Sequence, residues 1–508
     1  MNPAQAILRL HDNDNVGIAL QAISPGAGVL DTGHRCRSPI PEGHKVALQS
    51  IPRHQPIVKF GQPIGYAARE IAPGEHVHTH NVALLDVDQE YQFATHRTRT
   101  VRVPSGAQAT FQGFVRSDGR VGTRNYLGIL ATVNCSASVA RFIADRATQE
   151  LLPDARGVDG IVALGHGAGC GMNPEDDGFA MLQRTMAGYA RHPNFYGIVL
   201  VGLGCEVNQL DCLMENTQLS TGPRLRTIDI QQAGGTPRTI AAGIEAVGEM
   251  LTDAARATRE AVSARYLVVG LECGGSDAYS GISANPALGE AVDLLIRHGG
   301  TAILSETPEI YGAEHLLTRR AESTEVGESL IQRIRWWQDY TARLGAVINN
   351  NPTPGNKAGG ITTILEKSLG AVAKAGSTNL KQVYRYAEPV RERGLVFMDT
   401  PGYDIVSVTG MTAGGANLIC FTTGRGTPCG FKPAPTIKLA SNSPMFQRMQ
   451  DDMDINCGKI IDGTAGVKEL GEEIFKTMLD VASGTPSCSE RFGFGDVEFV
   501  PWPMGAVL

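Results

Sequence analysis

Three cysteines have the most suggestive spacing in the chain. Cys135 ends ATVNC, Cys170 ends GHGAGC and Cys205 ends GLGC, the second and third each thirty-five residues after the one before. That interval is about one strand–helix–strand step. In an open parallel sheet the carboxyl ends of the strands line one edge, and ligands bind there where the strand order reverses. Thiolates delivered by three such ends can converge. Soft sulfur ligands suit ferrous iron or an iron–sulfur cluster, and an iron with an open position is a Lewis acid toward a hydroxyl. The competing reading is that free cysteine packs as a small buried hydrophobe, and we apply it to Cys36, Cys212, Cys420, Cys429, Cys457 and Cys488. Cys273, ending LEC, is a fourth strand-end thiol outside the regular spacing. No CxxC pair occurs, and the ten cysteines do not resemble the disulfide framework of a small secreted domain.

Histidines form a second set. His76, His78 and His80 alternate in PGEHVHTHN and would share one face of a strand; for His76 and His78 a solvated β-edge is the reading adopted. His11 in LHDNDN and His44 in EGHKVAL sit beside Asp12, Asp14 and Lys45 and are the candidate acid–base groups. A third set binds anions. VGTRN, NPTPGNKAGG, EKSLG and TTGRGTP each place a cation among small residues. Arg124 with Asn125, and Arg425, offer bidentate donors to a carboxylate. Lys357 beside Asn356 offers a point charge or a competing base. Ser276 and Asp277 in GGSD supply hydroxyl and carboxylate groups suited to a polyol. A rival metal site, built for a hard cation, is Glu306 and Glu309 with Asp277.

These groups must be positioned by at least two kinds of structure. Residues 1–85 alternate in short stretches (VGIAL, HKVALQ, PIVKFG) separated by Pro-Gly turns, as a small β domain would. Residues 86–110 lack a sustained apolar period and read as a linker. From 111 onward apolar runs at 126–133, 160–164, 197–203, 266–271, 301–305, 395–398 and 418–421 alternate with helical stretches such as 136–151, 178–191 and 238–260. Near-continuous apolar strands alternating with helices predict parallel sheets covered on both faces. The fold class is therefore multidomain α/β, divided into a middle domain at 111–262 and a C-terminal domain at 263–508.

Composition excludes several classes. With 508 residues, 42% hydrophobic and 19% charged, the chain is a multidomain globular protein. A net charge of −7 with dispersed lysine and arginine argues against a nucleic-acid partner. No apolar run reaches the roughly 20 residues of a membrane span, and the N-terminus does not form a secretory signal; a cytoplasmic location is expected. There is no GxGxxG fingerprint, P-loop, GxSxG elbow or HExxH. A nicotinamide oxidoreductase therefore rests on the α/β pattern alone. A non-catalytic sugar-acid sensor is the reading from another class.

Ten strings carry a resemblance: HDNDNV, EGHKVAL, IGYA, DGRVGTRN, GLGCE, ECGGSDAYSGISANPALG, SETPEIYGAEHLL, NPTPGNKAGGITT, EKSLG and TTGRGTP. In this order, and across all three proposed domains, the chain resembles the altronate/galactarate dehydratase family. PGEHVHTHN, PEIYGAEHLL and NKAGGITT look closer to its altronate-acting members, with galactarate or another hexarate or hexonate as the alternative substrate. The resemblance implies an N-terminal β-clip (SAF-type) domain, a middle domain that dimerises and a Rossmann-like C-terminal domain. It also implies a ferrous-iron-dependent hydro-lyase that forms 2-keto-3-deoxy acids. In that expectation Cys135, Cys170 and Cys205 hold the iron, Arg124 and Arg425 fix the carboxylate, and His11, His44 or Lys357 moves the proton.

Overall fold

The computed structural model describes residues 6–84 and 90–505. Residues 1–5, 85 and 506–508, and the first part of the expected linker, residues 86–89, lie outside the described residues. Up to Ala83 every strand pairing is antiparallel. One sheet runs in the order Ile7–Leu8, Val16–Ala19, Lys45–Ala47, His76–Val77, and a second joins Pro56–Lys59, Gln62–Ala67 and Val82–Ala83. Each element is short because a Pro-Gly or similar turn interrupts it. Their apolar residues fill two small cores, one around Val29, Ile40 and Val46, the other around Val16, Ile57, Ile64 and Ile71. Leu369, from the far end of the chain, packs against the second core.

The segment expected to be a linker lies against the C-terminal domain. Ala94, His96 and Val103 donate backbone hydrogen bonds to the carbonyls of Thr318, Arg319 and Arg297, so it runs along the C-terminal domain. Thr110–Val115 then pairs antiparallel with Glu260–Ser263, binding the incoming and outgoing chains of the middle domain together. The helix expected over 238–260 is Thr236–Ala254; the polar residues after it become extended where they meet this partner.

The middle domain is a four-stranded parallel sheet of β1 (Tyr126–Ala131), β2 (Gly160–Leu164), β3 (Phe195–Gly202) and β4 (Leu225–Asp229), ordered β2-β1-β3-β4. The C-terminal domain has seven parallel strands: β5 (Val268–Cys273), β6 (Thr301–Leu304), β7 (Leu380–Tyr384), β8 (Leu395–Met398), β9 (Leu418–Thr423), β10 (Thr436–Ala440) and β11 (Ile455–Asn456), ordered β7-β8-β6-β5-β9-β10-β11. The central strands are buried along their whole length but for Val268 at the start of β5, which is why they read as unbroken apolar runs. The helix Ala284–Arg297 places Ala287, Leu288, Ala291 and Leu295 on one face, against Leu470, Ile474 and Met478 of the helix Val467–Ala482. The chain end returns to the middle domain: Phe499 and Trp502 join the core of Leu182, Met186 and Tyr189, and Trp502 stacks on Trp337 with centroids 5.3 Å apart. No helix among the described residues is long and apolar enough to cross a membrane.

Candidate active site

In the C-terminal sheet β6 lies on one side of β5 and β9 on the other, so the strand order reverses around β5. At this end the chain gathers an unusual set of groups. Glu272 and Cys273 end β5. Glu306 and Glu309 follow β6, and Asp404 opens the helix Asp404–Ala413 after β8. Ligand atoms of Cys273, Glu306 and Glu309 all lie within 4.8 Å of one another, as do those of Glu272, Glu306 and Asp404. Against four carboxyls and a thiol stand two ammonium groups. Lys374 Nζ is 2.9 Å from Cys273 Sγ and 3.9 Å from Glu306 Oε2, and Lys367 Nζ is 2.7 Å from Glu309 Oε1 and 2.8 Å from Asn351 Oδ1.

Burial sets the electrostatics. It pushes Glu272 up to about 8 and Asp404 to about 6. Burial, then the facing Glu272 and Glu309, lifts Glu306 far above the carboxylate range. The Cys273 thiol is pushed up to about 12 by burial, despite Lys374. For Lys367 burial opposes the charge, yet Glu309 and its neighbours raise it to about 12. Glu272 Oε2 and Glu306 Oε1 are buried with no hydrogen-bond partner, which is costly in a dry interior. Glu306 also holds φ at +64°, a conformation a non-glycine residue adopts at a cost of about 1–3 kcal/mol; the Thr400 hydroxyl, 2.8 Å from its amide nitrogen, helps to hold it there. Excess acid, orphaned oxygens and a strained ligand together describe a cation site. Cys273, Glu306 and Glu309 can hold a metal ion.

The N-terminal domain closes over this crevice through a buried ionic clasp. Lys45 Nζ and Lys59 Nζ lie 2.8 and 2.9 Å from the two oxygens of Glu366, and Lys45 also donates to Gly360 O. Burial pulls Lys45 down to about 8. It would raise Glu366, but the two ammonium groups hold that carboxyl well below its ordinary range. Gly360 must be glycine, since a Cβ there would lie 2.4 Å from Gly43 O. Beside the clasp His44 Nδ1 is 3.0 Å from His76 Nε2, and His78 Nε2 is 2.9 Å from Lys357 O. Burial and the neighbouring imidazoles bring His76 down to about 3, and burial brings His78 to about 4. His76 and His78 are thus interface groups and not the solvated β-edge expected of them. The strand there is only His76–Val77, so the alternation does not persist.

The other expected site residues divide sharply. Ser276, Asp277, Asn356, Lys357, His44 and Arg425 all gather around the ends of β5 and β9 and the clasp. Asn356 Nδ2 donates to Ser276 O, Arg425 N donates to Gly275 O, and the Arg425 side chain is exposed. Asp277 is not a ligand of the rival metal site: Ser280, Ser441, Asn442 and the Tyr279 amide occupy its carboxylate, and Cys273 takes its place beside Glu306 and Glu309. His11 is exposed, packed against Gly61 and accepting from the Asn13 amide. Arg124 and Asn125 are corrections. They precede β1, at the end of the sheet away from the ligand edge. Arg124 is spent on Glu490, Val481 O and Thr485 O, and Asn125 on Arg116, Gly157 O and Ala254 O, so both are structural. Cys135, Cys170 and Cys205 stand at the ligand edge of the middle domain, all exposed, and their sulfurs do not all fall within 4.8 Å of one another.

Sequence reasoning missed Glu272, Lys374 and Asp404, and gave Lys367 only as the cation of EKSLG. ECGGSD at a strand end, and EKSLG followed seven residues after Lys367 by Lys374, were the available signals.

Comparison with known proteins agrees with this layout. Three family descriptions match in succession: the altronate/galactarate dehydratase SAF domain over residues 5–85, the D-galactarate dehydratase/altronate hydrolase second domain over 113–255, and the D-galactarate/altronate dehydratase C-terminal domain over 264–507. The altronate dehydratase of Bacillus subtilis is 35% identical over 97% of this chain and 98% of its own. That of Escherichia coli is 37% identical over 96% and 98%. The L-threo-forming galactarate dehydratase of Escherichia coli is 36% identical over 95% and 94%.

Proposed function

The chain belongs to the altronate/galactarate dehydratase family, and on that premise we propose that it dehydrates altronate to 2-keto-3-deoxygluconate at the crevice around β5, with galactarate as the alternative substrate. The observation that carries this reading is the cluster of buried Glu272, Cys273, Glu306 and Glu309 with half-buried Asp404 at the strand ends. Its mixed sulfur and oxygen donors fit ferrous iron. Held by Cys273, Glu306 and Glu309, that ion would supply Lewis acidity toward substrate oxygens.

The reaction removes a weakly acidic proton beside a carboxylate and expels a β-hydroxide as water. Lys367 and Lys374 are poor bases here: burial opposes their charge, but Glu309 for the first and Cys273, then Glu306, for the second raise both; they neutralise charge as it develops. Asp404 is the least enclosed carboxyl of the cluster, and we assign it the proton at the carbon next to the carboxylate. Arg425 at the mouth receives the substrate anion. Lys59 and Phe60 of the N-terminal domain roof the crevice beside Cys273 and Lys367, leaving a void of about 10 Å³, room for about one water. A six-carbon acid enters only when that domain lifts, and its return excludes bulk water from the reaction.

The test is an anaerobic assay of 2-keto-3-deoxy acid formation with iron supplied, across a panel of hexonates and hexarates. Altronate turnover is expected. Preference for galactarate keeps the chemistry and moves the substrate; no turnover of any sugar acid overturns the reading. Asp404→Asn is expected to lower kcat by about 10²–10⁴ while substrate still protects the protein against thermal unfolding, and an unchanged kcat removes Asp404 as the base.

A further inference from the structure

The middle domain has its own ligand edge, which the proposed reaction does not use. In the order β2-β1-β3-β4 the chain steps from β1 to one side and then crosses to the other, so the strand order reverses at the carboxyl end of β1. At that crevice each of three adjacent strands delivers one cysteine. Cys135 is the second residue of the helix Asn134–Leu151 after β1, Cys170 lies in the loop after β2, and Cys205 in the loop after β3. Of the ten thiols these three are the exposed ones. They perform no packing that would explain them, and an accessible thiol is an oxidation liability.

The three loops are fastened to one another. Asn134 N donates to Ala168 O at 3.0 Å, Val207 N to Cys170 O at 3.2 Å and Asn208 N to Gly169 O at 3.1 Å. Gly169, at φ +103°, lets the second loop lie on the end of β1, where a Cβ would stand 2.4 Å from Thr132 O. The groups that might compete as ligands are engaged. Glu206 accepts from Leu203 N, Gly204 N and Thr132 Oγ1, and His166 is held between Ala131 O and Ala168 N. Asp229 ends β4 beside Gly204 and accepts from the Gln232 amide. The thiols are the soft donors of this edge, and three is one short of a closed four-sulfur site.

We propose that Cys135, Cys170 and Cys205 hold a four-iron, four-sulfide cluster in which one iron has no protein ligand. A single tetrahedral ion is the poorer match: bonds of about 2.3 Å bring ligand sulfurs to about 3.8 Å of one another, whereas these three are not all within 4.8 Å. A cluster, being wider, takes thiolates set further apart. Cys170 borders a cavity of about 1270 Å³ between these loops and the chain end, with Arg141 and Lys432 on its wall. That cavity has room for a small organic molecule, and Asp145 and Asp496 on the same wall, the latter paired with Lys432, balance its two cations. This site is separate from the Cys273 crevice and does not depend on the proposed reaction.

The full chain, purified anaerobically or reconstituted with ferrous iron, sulfide and thiol reductant, is expected to carry about four irons and four acid-labile sulfides at this site, with a broad visible absorbance lost in air. Cys170→Ala is expected to lose the sulfide and the absorbance. Cys212→Ala and Glu309→Gln are expected to keep both, which separates this site from the Cys273 crevice. A second measurement needs no variant: alkylation read by mass spectrometry should modify Cys135, Cys170 and Cys205 in the apoprotein and spare all three in the loaded protein. Iron without labile sulfide, zinc in its place, or equal alkylation in the two forms would overturn the proposal.

Discussion

The middle and C-terminal domains each bring strand ends together at a reversal of a parallel sheet, yet the two crevices hold opposite chemistry. In the middle domain the ligand edge presents three exposed thiols, two on glycine-rich loops and Cys135 in the first turn of a helix, with the nearby Glu206 and His166 already satisfied. In the C-terminal domain it holds three buried carboxyls, the half-buried Asp404 and one buried thiol, held against two lysines and covered by a second domain. Topology chooses where a ligand can sit. What sits there is decided by ligand softness and by how much water the surrounding chain removes. The same element, a strand ending in cysteine, serves both: Cys205 stays exposed, while Cys273 is sealed beside Lys374.

The most severe way to break this contrast is to remove a ligand from the sealed crevice. Glu309→Gln keeps the shape but strands Lys367 and removes one donor. We expect kcat/KM to fall by at least about 10³, roughly 4 kcal/mol of transition-state stabilisation, together with metal bound outside any sulfide-containing cluster. Retention of full activity would remove Glu309, and with it the metal assignment, from the crevice.

Next in size is the clasp that does the sealing. Glu366→Gln leaves Lys45 and Lys59 buried without their carboxylate, and breaking one partner of such a group costs about 3–5 kcal/mol. Urea unfolding should show that loss. Replacing Lys45, Lys59 and Glu366 together by apolar residues of similar volume should recover much of it. If the single change costs less than the triple, the clasp is not electrostatic.

Much of this was legible in the sequence, for reasons that also explain the failures. The strands β1, β3, β5, β6, β8 and β9 are buried on both faces and so read as apolar runs, and the half-buried edge strand β2 (GIVAL) is apolar by composition. β7 (LKQVY) and β10 (TIKLA) were missed because each carries a lysine, and Lys438 of β10 is fully buried. The β domain was readable from its turns. The sealed crevice was only half readable: Glu306 and Glu309 stood out as a rival, but Glu272, Lys374 and Asp404 sit in ordinary helical or strand contexts, and burial alone makes them unusual. Arg124 misled because a glycine-flanked arginine looks the same whether it meets a ligand or, as here, Glu490. No local pattern tells which end of a strand a motif occupies.

That ambiguity yields a smaller test. Arg425→Ala, at the ligand end of β9, is expected to raise KM about tenfold, roughly 1.4 kcal/mol, with kcat nearly unchanged. Arg124→Ala, at the opposite end of its sheet, should lower the melting temperature and leave KM alone. Measuring both constants and both melting curves separates the two; a KM effect from Arg124 would reverse the correction made above.

The gentlest lever is pH, and it acts on the clasp through groups of known sign. His76 and His78 titrate at about 3 and 4 in the folded chain against an ordinary 6.5, so between those values the unfolded chain binds more protons. Their contribution is present above about 6.5 and is lost as pH falls toward 4. They face His44, His80, Lys45 and Glu366, and added positive charge there opposes Lys45 directly. Glu366, held below its ordinary 4.5, contributes stability above that value and loses it on further acidification. Lys45 acts in a separate window: with about 8 folded against 10.5 unfolded, it makes stability rise with pH between those values. The clasp should therefore weaken steadily from pH 6.5 downward. Limited proteolysis should release the N-terminal domain before the parallel sheets melt, since the latter rest on apolar packing. If stability instead rises as pH falls from 7 to 5, the histidines are not neutral in the folded chain, and the contrast between a dry, sealed crevice and a wet, thiol-lined one must be drawn differently.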